Sequence, residues 1–171
     1  MITLHNINKR GVYMSVENLL PALHTFTLRN PNNKQDFLIN LKEMDGQCLE
    51  VKFDLSGLDK LVNPITGKRV PFYLYLFLFH QKGGKEVEIL SSASFYCDEN
   101  KLEIGNLGME TPLKLPEDIE SLIGDFTNNF FSIELLYSPK ELEDGSDLNL
   151  LLNNPESRLF KSKVAIISEE Y

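Results

Sequence analysis

The sequence predicts a mainly β protein, an antiparallel β-sandwich of about eight strands with one amphipathic helix near residues 116–126. Three observations predict it. Residues 70–79 carry apolar or aromatic side chains on both alternating faces. Residues 37–55 alternate apolar and polar positions around Asp45-Gly46. Turn-forming clusters cut much of the rest into short segments, and only one stretch has a clear helical period. An α+β sheet with the helix on one face is the alternative architecture.

Taken in order, residues 2–7 alternate and read as a strand. Residues 15–23 have an N-cap candidate in Ser15, but Pro21 limits any helix there to about one turn. Residues 24–29 read as a strand with Phe26 and Leu28 on one face, closed by the turn Asn30-Pro31-Asn32-Asn33. The next two segments are expected to form a hairpin. A three-residue loop, Met44-Asp45-Gly46, pairs Leu41 with Leu49, Ile39 with Val51 and Phe37 with Phe53. A two-residue turn would set apolar residues opposite charged ones, so the longer loop is preferred.

After an irregular stretch with a helical turn near 58–62, residues 70–79 form the central strand. Phe72, Leu74, Leu76 and Leu78 share one face; Tyr73, Tyr75, Phe77 and Phe79 share the other. Both faces need cover, and helix 116–126 is the candidate for one of them. Residues 86–96 and 101–104 continue as a meander through a Gly83-Gly84 turn and Asp98-Glu99-Asn100. Pro116 suits a first helical position, Glu117, Asp118 and Glu120 favour the positive helix end, and Leu115, Ile119, Leu122, Ile123 and Phe126 form the apolar stripe. Strand 130–137, an acidic loop 140–147, a short helix 148–152 and a last strand 159–167 complete the chain.

The 171 residues, 42% apolar and 25% charged, suit one ordinary domain spanning 1–171. The net charge of −8 is uneven: residues 1–85 carry +4 and residues 86–171 carry −12. Strands from the two halves are expected to interleave, so the asymmetry need not mark two faces. Net acidity excludes nucleic acid as a general partner. The longest apolar run is about half the length of a membrane helix, so no membrane span is expected. The absence of a signal-like start, only two cysteines, Cys48 and Cys97, and no Asn-x-Ser/Thr site give the expectation of a cytoplasmic or otherwise intracellular protein.

Catalytic chemistry finds no support. His5, His24 and His80 lack metal-ligand neighbours at helical or loop spacing, and no Gly-x-Ser-x-Gly elbow occurs. Thr66-Gly67-Lys68 and Gly105-Asn106-Leu107-Gly108 read as turns rather than phosphate cradles. The loop 141–147 fails the EF-hand pattern, with Lys140 and Leu142 at ligand positions, so a solvated acidic loop is preferred over a calcium site. No catalytic, cofactor or metal residue is assigned and no enzyme is expected. The leading expectation is a non-enzymatic protein–protein interaction or structural module, a subunit or adaptor of a larger assembly, with a protein partner or a homo-oligomer. The alternative is a small-ligand or glycan-binding sandwich whose cleft is lined by Tyr73, Tyr75, Phe77 and Tyr96.

Overall fold

Period-two alternation decides the layout of this chain. The computed structural model describes residues 7–8, 11–12, 21–29, 37–43, 48–63, 65–82, 86–100, 105–123 and 129–168. Its strands are β1 (Ile7–Asn8), β2 (Gly11–Val12), β3 (Ala22–Arg29), β4 (Leu38–Asn40), β5 (Cys48–Ser56), β6 (Phe72–Lys82), β7 (Glu86–Cys97), β8 (Asn106–Lys114), β9 (Asn129–Ser138) and β10 (Arg158–Ile167). Two short helices, α1 (Ile119–Ile123) and α2 (Gly145–Asn153), flank β9 in sequence. Eight strands build two sheets, in the orders β4-β10-β9-β6-β7 and β3-β5-β8, while β1 and β2 pair separately. Every pairing is antiparallel except β4 with β10. The predicted mainly β sandwich is the architecture found.

The two sheets share one core. From the three-stranded sheet come Leu28, Leu49, Val51, Phe53, Leu55 and Leu113; from the five-stranded sheet come Phe72, Leu74, Leu76, Leu78, Ile133, Leu135 and Val164. Removing each such side chain from water contributes roughly 1.5–3 kcal/mol. Aromatic rings bridge the layers: Phe26 stacks on Phe160 at 4.0 Å, and Phe53 meets Phe95 edge-on at 5.7 Å. Cys97 lies in this core, and both cysteines are free thiols.

Four sequence expectations are corrected. The 37–55 hairpin does not form. β4 joins the five-stranded sheet beside β10, whereas β5 lies in the other sheet between β3 and β8. Alternation fixes which face of a strand turns inward, and that face is right for β5. It does not fix the neighbour, because two strands facing each other across a sandwich also oppose their apolar residues. The β6–β7 ladder pairs His80 with Glu88, one residue beyond the register of a Gly83-Gly84 turn; residues 83–85 lie outside the described residues. Residues 101–104, predicted to continue the meander, lie outside the described residues, and the next described strand, β8, pairs with β5 in the other sheet. That strand covers Gly105-Asn106-Leu107-Gly108 in part, so this motif is only partly a turn. Gly105 turns at φ 74°, and Gly108 lies in β8 opposite Asp54, whose Oδ1 sits 3.0 Å from where a Cβ would be.

The fourth correction concerns the cover of β6. α1 buries Ile119 and Ile123 in the shared core, below Leu115, so the predicted stripe is real but faces the inner layer. Phe126 lies outside the described residues. The aromatic face of β6 is covered instead by the segment running from Leu142 through α2. Tyr75, Phe77 and Phe79 form a second cluster with Leu136 and Leu151, and Tyr73, Leu142, Leu148 and Leu152 pack against it. The molecule is thus layered: three-stranded sheet, core, five-stranded sheet, and a helical patch on part of the outer face.

Interleaving also answers the charge asymmetry. Lys52 in β5 pairs across the ladder with Glu110 in β8 at 3.0 Å, so basic N-terminal and acidic C-terminal residues meet on one sheet face.

Candidate functional site

The outer face of the five-stranded sheet is where the sequence-predicted aromatic residues come together. Their side chains project from one face because Tyr73, Tyr75 and Phe77 are two apart on β6, and Tyr96 is opposite Tyr73 on β7. Tyr75 and Phe77 are 8% and 6% exposed, so they are core for the α2 layer rather than free rings. The Tyr75 hydroxyl accepts a hydrogen bond from the Leu142 amide at 2.9 Å, which ties the covering segment to the sheet. Tyr73 is half-buried, and Tyr96 is 47% exposed with its ring 4.9 Å from that of Tyr73. Burial and the nearby Glu141 carboxylate push the Tyr73 hydroxyl above the usual tyrosine range. The four aromatics therefore form a graded row, covered at Phe77 and open at Tyr96.

The cover ends before it reaches β7. Between α2 and that strand lies an open groove of 380 Å³. Its floor is Tyr75 and Phe77, one wall is Ser92 and Ser94 on β7, and the other is Leu142, Glu143, Asp144, Gly145 and Leu148. Small serines on β7 leave the groove open toward the sheet edge.

Two polar networks hold the covering segment in place. Asp144 caps α2, its Oδ1 accepting from the amides of Ser146 and Asp147 at 2.7 and 3.2 Å. Asp147 pairs with Lys140 at 3.0 Å and accepts from the Glu143 amide. At the other end of α2, buried Glu134 on β9 binds Arg158 at 2.8 Å and Lys161 at 2.6 Å, and Arg158 donates to the Leu152 carbonyl. These partners occupy the Asp144 and Asp147 carboxylates of the loop weighed as a calcium site. Among the described residues no cluster of histidine, cysteine, aspartate or glutamate has the arrangement of a metal site.

The cap gives a pH prediction. Hydrogen bonds from Ser146 and the Asp147 amide hold the Asp144 carboxyl below its usual range, and Lys140 does the same for Asp147. Folding therefore favours the anions, so their contribution is complete above the ordinary aspartate pKa of about 3.9 and is lost as pH falls through the lower folded values. The melting temperature of the wild type is expected to fall more steeply below about pH 4 than that of Asp144→Asn. The variant melts lower at neutral pH, and the two curves converge in acid. Parallel curves would remove the cap from the pH response.

The other candidate residues stay apart. His24 is exposed and sits 2.5 Å from the Ser56 hydroxyl. His80 is buried at 3% exposure, stacked on Phe131, and its Nε2 has no partner among the described residues. It stands opposite Glu88, whereas Cys97 stands opposite Phe72 at the far end of β6, so no Cys–His pair forms. Thr66-Gly67-Lys68 belongs to a turn in which Asn63 Oδ1 accepts from Ile65 and Thr66 and Gly67 takes φ 65°.

What alternation did not mark is the edge status of β7. Among the described residues this strand pairs with β6 alone and ends its sheet. Native edges are blunted by charge, proline, shortness or bulges. β4 has three residues, β8 carries Glu110, Pro112 and Lys114, and β3 is bulged between Leu23 and Thr25 and ends on Arg29. In β7 the nine residues from Ile89 to Cys97 carry no charge and no proline. Its bulge lies at the start, between the Phe79 and Leu78 pairings, leaving Ser91–Cys97 in unbroken register. Ile89 and Tyr96, 40% and 47% exposed, lie along it. No protein-family model matches the chain, and no curated protein matches it.

Proposed function

We propose that this chain is a non-enzymatic module that works by protein–protein contact, as a subunit or adaptor, and that the β7 edge is its contact surface. The observation carrying the reading is the uncharged stretch Ile89–Phe95 of β7, which among the described residues is paired on one side only. Unpaired N–H and C=O groups along such an edge are a template for another strand. Two exposed apolar side chains beside a groove add area that a partner can remove from water.

The reading is tested in the native host with a photo-crosslinking residue placed at Ser94 and, as control, at Ala165, an exposed position on β10. A defined protein adduct is expected from position 94 and not from position 165. Equal or absent adducts at the two positions would contradict contact through β7.

A further inference from the structure

Resting on that reading of β7, we infer that its occupant is an extended, lysine- or arginine-bearing segment of another protein, which adds as a strand and sends basic side chains over β7 into the groove. An added strand lies about 4.8 Å beyond β7, and its alternate side chains emerge on the same outer face as Ser92 and Ser94. Those serines are too short to block the way. A lysine or arginine stem is long enough to pass them with its apolar part over the aromatic floor and its charge at the far wall.

The far wall is acidic. Glu143 lines the groove and is exposed, and its carboxylate is one of the charges that raise the Lys140 pKa. Asp144 stands beside it, and Glu141 is close enough to Tyr73 to raise its pKa. A cation held beside those carboxylates gains charge-assisted hydrogen bonds. A second copy is the poorer occupant. Each copy carries −8, and a two-fold β7 contact would bring two acidic rims together.

The test uses the full chain and two fluorescent nine-residue peptides, one alternating lysine with valine and one alternating glutamate with valine, read by anisotropy. The lysine peptide is expected to bind saturably and the glutamate peptide not to bind. Binding should weaken as salt rises. Glu143→Lys, at an exposed position, should leave the melting curve intact and weaken the lysine peptide about tenfold. Equal binding of both peptides would overturn charge selection while leaving contact through the edge in place. Binding of neither peptide would overturn the inference, and sedimentation as a dimer crosslinked through position 94 would assign the edge to a second copy. A host protein captured at position 94 is scored independently of either result.

Discussion

Alanine at Phe77 is expected to destabilise the fold by about 3 kcal/mol or more, close to the loss from alanine at Leu76. The two residues are neighbours on β6 and point to opposite faces. Leu76 is wholly buried between the sheets, and Phe77 is 6% exposed beneath the α2 layer. Each truncation removes apolar contacts and leaves a cavity that the surroundings fill only in part. Phe77 adds a stacked ring at 6.2 Å on Tyr75 and a tilted one at 5.5 Å on Phe79. Urea unfolding of the two variants measures both losses. A near-neutral Phe77→Ala beside a damaging Leu76→Ala would mean that α2 does not close over the sheet.

Much of the fold was legible because the sequence writes burial directly into alternation. The inward face of β5 and the division of β6 into two faces were correct residue by residue, and Leu115, Ile119 and Ile123 of the predicted stripe are buried together. Partners were not legible. The same alternating pattern in β4 and β5 serves a hairpin or two strands on opposite sheets, and only long-range packing separates the cases. β8 was missed because Gly108 and Pro112 imitate a loop. Both make sense only once β8 is known to be an edge strand, with Gly108 against Asp54 and Pro112 where one side of the ladder is open.

The site was legible in part. Tyr73, Tyr75, Phe77 and Tyr96 do share one face, as their spacing requires. Which of them stays open depends on where α2 stops, and nothing local in β6 records that. The acidic loop was visible, but its role as the cap and anchor of α2 depends on Asp144 standing at the helix start and on Tyr75 reaching Leu142. The uncharged run in β7 was present in the sequence as Ile89-Leu90-Ser91-Ser92-Ala93-Ser94-Phe95. Its meaning came from topology, because the same run in a central strand would be ordinary.

Amide hydrogen exchange along β6 and β7 tests the openness of that edge most directly. β6 is paired on both sides and buried on both faces, so its amides should exchange only with global unfolding. In an antiparallel edge strand every second N–H points away from its neighbour. Over Ser91–Phe95, protection is therefore expected to alternate, with the outward amides exchanging orders of magnitude faster than those bonded to β6. Addition of the lysine peptide should slow the outward set alone. Uniform protection of Ser91–Phe95 in the isolated chain would show the edge already covered and would contradict a β7 surface open to a partner.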